Sequence, residues 1–211
     1  MSKIAIIDYG MGNLHSIGKA VKHVAPQIDV SVTADAEVIL TADRIIFPGV
    51  GGIEHCMAAL VDAGLDQVVL EAVKNKPVLG ICVGMQALLE DSEENNGTRC
   101  LGIFDGHVRR FRDDMLYQNE RLKVPHMGWN EVQQQPHALW HDIPQSSRFY
   151  FVHSYYAVPD DADLVVGTAE YGQSFACALA RENVFAVQFH PEKSQHAGLQ
   201  LLENFTAWSG E

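Results

Sequence analysis

The chain has 211 residues, 47% hydrophobic and 20% charged, with 27 acidic against 15 basic side chains and a formal net charge of -12. That composition suits a single globular domain over residues 1–211 with a sizeable core, and it argues against nucleic acid or an anionic membrane surface as the main partner. The opening "MSKIAIIDYG" lacks the basic and apolar regions of a cleavable leader, and no apolar run approaches the ~18 residues of a membrane span, so a cytoplasmic protein is expected.

"KIAIID" (3–8) is a short β-branched run that the glycines of "YGMGN" break. Residues 14–25 then place Leu14, Ile17, Val21 and Val24 at helical spacing. "DVSVTA" (29–34) alternates as a strand does, and "RIIFPG" (44–49) is a strand stopped by Pro48 and Gly49. Residues 53–74 read as helical segments interrupted near Gly64. "PVLGIC" (77–82) is a fourth strand, followed by a helix from about Gly84 to Glu90. Strands alternating with helices predict an α/β fold with a mostly parallel central sheet flanked by helices. After "EENNGTRC" the pattern changes. "LGIFDGHVRRF", "RFYFVHSYYAV", "DLVVGTAEYG", "SFACALARE" and "VFAVQFH" read as strands joined by turns, an antiparallel extension in the second half, before a last helix over about 196–208.

The glycine-rich stretches near the N-terminus fit nucleotide binding poorly. "GMGNLH" has His15 where the dinucleotide fingerprint needs its third glycine; "GNLHSIGKA" has a P-loop's glycines one residue too far apart and Ala20 in place of the magnesium-binding hydroxyl. Cys56, Cys82, Cys100 and Cys177 are scattered without a CxxC pair, so neither a disulfide framework nor a metal site is suggested, and no cofactor is expected.

Cys82 stands apart. Gly80-Ile81-Cys82-Val83-Gly84 ends a strand and begins a helix, the arrangement of the G-x-S-x-G nucleophile elbow with sulfur in place of oxygen. At the carboxyl edge of a parallel sheet such a thiol is presented to substrate, and the backbone N–H of Val83 can hold a developing oxyanion. The alternative is a small buried packing residue, a common fate of cysteine. A thiol nucleophile needs a base and a group to orient it. "VFAVQFHPEKS" (184–194) supplies both: an apolar strand ends at His190, Pro191 stops the ladder, and Glu192 can fold back to the imidazole, as the acid of a triad does. The competing reading is a strand-end surface histidine beside a solvated glutamate. "FPGVGG" (47–52) ends a neighbouring strand and can turn further N–H groups inward, or serve as a plain turn.

G-x-C-x-G-x-Q with a late H-P-E resembles the class I, triad-type glutamine amidotransferases, with their flavodoxin-like fold, over essentially the whole chain. "DYGMGNLHS", "FPGVG", "GICVGMQ", "PHMGWN", "YFVHSY" and "QFHPEKS", in this order, resemble more narrowly the glutaminase subunits of imidazole glycerol phosphate synthases. The resemblance implies that Cys82 attacks the side-chain amide of L-glutamine, that His190 shuttles protons and that Glu192 orients it. It places Val50 and Val83 at the oxyanion, and Gly51, Gln86, His153, Ser154 and Tyr155 around the substrate. The Val50 peptide is one that rotates before its N–H faces the oxyanion, which keeps hydrolysis low until the partner is loaded. The same resemblance puts Asn13, Trp129, Tyr150 and Lys193 at the face of a (β/α)8 cyclase subunit that receives the ammonia, although Trp129 and Tyr150 could equally be core aromatics. A barrel of about 250 residues has no room in this chain, so the cyclase is expected as a separate polypeptide in a heterodimer. Related glutaminases serving pyridoxal phosphate, anthranilate or purine synthesis remain the alternative.

Overall fold

The structure, a computed structural model, describes residues 2–117 and 120–211. Its first half runs β1 (Lys3–Ile7), α1 (Leu14–Val24), β2 (Asp29–Thr33), α2 (Ala36–Thr41), β3 (Arg44–Gly49), α3 (Ile53–Asp62), α4 (Leu65–Ala72), β4 (Val78–Cys82) and α5 (Val83–Gln86). The second half runs β5 (Gly106–Arg110), β6 (His126–Glu131), β7 (Arg148–His153), β8 (Tyr155–Pro159), β9 (Val165–Glu170), β10 (Ser174–Arg181), β11 (Val184–Val187) and α6 (Gln195–Ala207).

Among the described residues the main sheet has twelve strands, three of them the two-residue strands Asp91–Ser92, Thr98–Arg99 and Gln133–Gln134, and the order β2-β1-β3-β4-β11 is parallel throughout. From β11 outward the sheet turns antiparallel, through β10 to β8, with β9 branching from β10 and β5 following β8. Every residue of β4 and β11 is buried, as central strands covered on both faces require. Register aligns the carboxyl ends that matter: Gly49 lies opposite Cys82, and Ile81 lies between Pro48 and Val187. The chain therefore leaves β3, β4 and β11 at one edge, so the loops after Gly49, Cys82 and Val187 emerge side by side. β6 and β7 form a separate antiparallel pair over that edge, with His126 opposite His153 and Trp129 opposite Tyr150.

Four local expectations change. The helix after the elbow ends at Gln86 rather than Glu90, because the carbonyls of Ala87, Leu88 and Leu89 accept from the amides of residues 101–104 instead of continuing the helix. "LGIFDGHVRRF" is a strand only over Gly106–Arg110. The run 148–158 is two strands interrupted at Ser154. "HMGWNE", read only as a motif, is β6: His126, Gly128 and Asn130 face inward while Met127, Trp129 and Glu131 face out. The short α2 escaped notice altogether, although Asp35 caps it by accepting from the amides of Glu37 and Val38.

Candidate active site

Cys82 ends β4 with φ 56° and ψ -112°, a left-handed conformation that a non-glycine residue rarely adopts, and only 4% of it is exposed. The glycines around it are required for space. A Cβ on Gly84 would lie 2.0 Å from the Phe47 carbonyl oxygen, and one on Gly80 would lie 3.1 Å from both Ala186 Cβ and Leu88 Cδ1. β3 and β11 thus grip the elbow from both sides, and α5 starts directly at Val83. With only four residues in that helix, the useful positive charge is local: the first N–H groups beyond the sulfur.

His190 arrives from β11 through Gln188 and Phe189. Its N–H donates to the Tyr150 carbonyl (2.9 Å) and its own carbonyl accepts from Ser194 Oγ (2.6 Å) and from the Lys193 amide (3.0 Å). Pro191 opens a tight turn that brings Glu192 Oε1 to 3.0 Å from His190 Nδ1, with the two side chains 0% and 2% exposed. Burial disfavours charge on the imidazole, but its interactions with Cys82 and Glu192 outweigh that and push its pKa up to about 10. With Nδ1 taken by Glu192, Nε2 has no partner among the described residues besides the Cys82 sulfur that raises its pKa, so that nitrogen serves the thiol. A solvated glutamate beside a surface histidine does not describe this pair.

Cys82, Val50, Gly51, Val83, Gln86, His190 and the 153–155 segment all line one cavity of about 570 Å³. The loop after β3 is anchored from behind: Tyr9 Oη donates to the Pro48 carbonyl (2.7 Å) and Cys56 Sγ to the Val50 carbonyl (3.4 Å). Burial pushes the Cys56 thiol up to about 11, which keeps it a donor. The peptide carrying the Val50 N–H lies between these two anchored carbonyls. Gly51 takes φ 96°, which glycine tolerates without strain.

Sequence reasoning missed Glu94. It is the one carboxylate lining the cavity among the described residues, and its Oε2 accepts from the Ile53 amide at the start of α3 (3.0 Å). Nothing in "EENNG" separates Glu94 from its neighbours; its place is set by β3 and α3, some forty residues earlier.

His153 lines the same cavity, and its ring is tied into the scaffold. Nδ1 donates to the Tyr155 carbonyl (2.7 Å), and Nε2 lies 2.9 Å from His126 Nδ1, whose ring stacks on Tyr171 at 4.0 Å. Because the carbonyl can only accept, His153 Nε2 is the acceptor of the pair and both rings are neutral. Burial lowers the His126 pKa to about 4 and that of His153 to about 3. Both are depressed, so the fold resists protons that the unfolded chain takes up below its usual histidine value. Stability is therefore complete above about pH 6.5 and falls as the pH drops toward 4. Urea unfolding is expected to show a loss on the order of 2 kcal/mol between pH 7 and pH 5.5. His126→Gln, which keeps a donor toward His153 but does not titrate, flattens that slope; an unchanged slope would remove the pair from the account.

Asn13 and Lys193 line the active cavity, whereas Trp129 and Tyr150 lie beside it. Trp129 is 38% exposed and packs edge-on to Tyr150 at 6.1 Å, and Lys193 Nζ sits 5.8 Å from the Tyr150 ring. Met127, next to them on β6, is 62% exposed. Trp129 is therefore not a core aromatic but part of an open apolar and cationic patch at the rim.

Fold and site together define a class: an α/β protein whose cysteine, on a strand-to-helix elbow, meets a histidine–glutamate pair from the adjacent parallel strand. Residues 5–208 match the glutamine amidotransferase class-I family. The chain is 58% identical over 211 residues to the imidazole glycerol phosphate synthase subunit HisH of Methylococcus capsulatus, covering 99% of this chain and 97% of that one. It is 59% identical over 211 residues to the same subunit of Pseudomonas putida, covering 100% and 99%. In fold it superposes on a GMP synthase-type protein of Thermoplasma acidophilum, with a TM-score of 0.73 at 19% identity, covering 98% of this chain and 93% of that one. The chain belongs to the class I glutamine amidotransferases and, within them, to the HisH subunits of imidazole glycerol phosphate synthase. No helix among the described residues is long and apolar enough to cross a membrane.

Proposed function

We propose that this chain hydrolyses L-glutamine through a thioester on Cys82 and passes the ammonia to a separate (β/α)8 cyclase subunit, with which it forms a heterodimer in histidine biosynthesis. The observation that carries the reading is the Cys82–His190–Glu192 set at the floor of a cavity with one carboxylate on its wall. Glutamine fits that polarity. Its α-ammonium faces Glu94, its carboxylate meets backbone N–H groups near Gly51 and the 154–155 segment, and its amide carbon lies over the sulfur.

His190, whose raised pKa keeps the imidazole protonated at neutral pH, already holds the thiol proton on Nε2 when sulfur attacks the amide carbon. The oxyanion is held by the N–H of Val83, and by that of Val50 once its peptide is turned inward. Collapse of the tetrahedral adduct expels ammonia with the proton His190 holds, leaving the thioester. His190 then deprotonates a water that attacks the thioester carbonyl, and glutamate leaves as the thiol is restored. Glu192 holds the imidazole in the tautomer with Nδ1 protonated and supports its charge. The ammonia goes to the cyclase, whose products are imidazole glycerol phosphate and aminoimidazole carboxamide ribotide. The patch of Trp129, Tyr150 and Lys193, with Asn13, is the docking face for that partner.

The testing experiment is a glutaminase assay of the chain alone, with the cyclase, and with the cyclase plus its nucleotide ligand. Turnover is expected to rise by about 10² to 10³ at the last step, as assembly of one oxyanion donor would give. Full activity of the isolated chain contradicts control by the partner; no glutamate even with the loaded cyclase contradicts the reading as a whole.

A further inference from the structure

Gln188 lies between the end of β11 and His190, is 0% exposed, and has no role in the steps described above. Its side chain touches two groups that belong to the site. Its Oε1 is 2.9 Å from Gln86 Nε2, and its Nε2 is 3.8 Å from Cys82 Sγ.

The direction of these contacts follows from one atom. The Tyr155 carbonyl oxygen can only accept, and it receives His153 Nδ1 at 2.7 Å and Gln86 Nε2 at 3.2 Å. That places the nitrogen of the Gln86 amide toward Gln188, so the oxygen of Gln188 must face it. Turning the Gln188 amide over would set two NH2 groups against each other and aim a carbonyl oxygen at the sulfur. Gln188 is fully buried, so either mismatch would carry the full cost of an unpaired polar group. The NH2 group of Gln188 therefore directs an N–H at Cys82.

We propose that Gln188 is a further catalytic residue, an N–H donor to the Cys82 sulfur that stabilises its thiolate, held in that orientation by the chain running from His153 through the Tyr155 carbonyl and Gln86. The proposal rests on the reading of Cys82 as the nucleophile. Its physical reason is burial: a thiolate with 4% of its residue exposed has lost most of its water and needs fixed donors in exchange. His190 receives the proton, and Gln188 stabilises what remains. A hydrogen bond to an ionised acceptor is roughly twice as strong as a neutral one, so the contact strengthens when the thiol ionises. The same chain ties the donor to His126, opposite His153 on β6, the strand that carries Trp129.

Alkylation by iodoacetamide, followed by peptide mass spectrometry at Cys82 in the isolated full chain, tests this without the cyclase. The other thiols are a clean background: all three are buried, with Cys56 pushed up to about 11, Cys100 to about 12, and Cys177 also upward. Gln188→Met is expected to slow alkylation of Cys82 at pH 7 about fivefold and to move the midpoint of its pH profile upward. Gln188→Glu keeps the size and the acceptor for Gln86 but puts a carboxylate at the sulfur, and it slows the reaction further. A variant counts when its thermal unfolding matches the wild type. Gln86→Leu, which frees the Gln188 amide to turn, gives an intermediate slowing and stands in if neither Gln188 variant folds. Rates within twofold of wild type in a folded variant overturn the proposal. A wild-type Cys82 that reacts no faster than Cys100 instead overturns its assignment as nucleophile.

Discussion

Cys82→Ala is expected to abolish glutamine-dependent synthesis by the complex, a loss of about 10⁴-fold or more, while synthesis from added ammonia survives. The sulfur is the one atom in the cavity positioned to form an acyl intermediate, and neither His190 nor Gln188 can replace it. Alanine is smaller than cysteine and keeps a Cβ, so the strain at φ 56° and the clearance between β3 and β11 are unchanged. The fold and the patch proposed to face the partner should persist, leaving the cyclase able to use ammonia from solution. The two activities, measured side by side as glutamate release and as product formed with an ammonium salt, separate chemistry from structure. Loss of both would show that Cys82 is a packing residue and that the thioester mechanism is wrong.

Glu192→Gln is expected to lower the glutaminase kcat by about 10² to 10⁴ with little change in KM. The carboxylate is buried with the imidazole, 3.0 Å from Nδ1, and does not itself line the cavity that glutamine would occupy. An amide there can accept from Nδ1 in one orientation but donates in the other, which puts the proton on Nε2 and blinds the base to the thiol. It also withdraws the charge that supports the imidazolium. Linkage supplies a second readout. The His190 pKa is raised in the fold, so its stabilising contribution is complete below about pH 6.5 and is lost as the pH rises through about 10. Urea unfolding of the wild type should therefore weaken across that window, and Glu192→Gln should flatten the slope in part, Cys82 being the other contributor. A variant with full kcat and an unchanged slope would reduce Glu192 to a bystander.

The elements that sequence reasoning placed well are those governed by a few consecutive residues. β1, β3 and β4 are apolar runs that end near glycine or proline, β2 alternates apolar and polar residues, and α1 carries its apolar groups at helical spacing. The elbow is legible because a left-handed Cys82 between two packed strands tolerates no side chain at Gly80 or Gly84. The histidine–glutamate pair is legible because Pro191 confines both to one tight turn. Even the end of α5, placed four residues too late, failed for a non-local reason: residues 101–104 take the carbonyls that a longer helix would have used.

The rest of the site depends on contacts between distant parts of the chain. Gln188 meets Cys82 and Gln86 across 106 and 102 residues, Gln86 meets Tyr155 across 69, and Glu94 meets Ile53 across 41. None of these pairs has a spacing that a motif could encode: the Gln188 contacts exist because β11 lies beside β4, the Gln86–Tyr155 contact because β8 follows β7 at the same edge, and the Glu94–Ile53 contact because the 94–96 turn lies against the start of α3. The sequence alone determined the residue types to which the proposed chemistry is assigned, a thiol at an elbow and a histidine followed by glutamate, because backbone stereochemistry restricts what short segments can do. The tertiary structure alone decided which side chains surround them and which way each hydrogen bond points. Those follow from strand order and from burial, which leaves each enclosed donor a single acceptor to find.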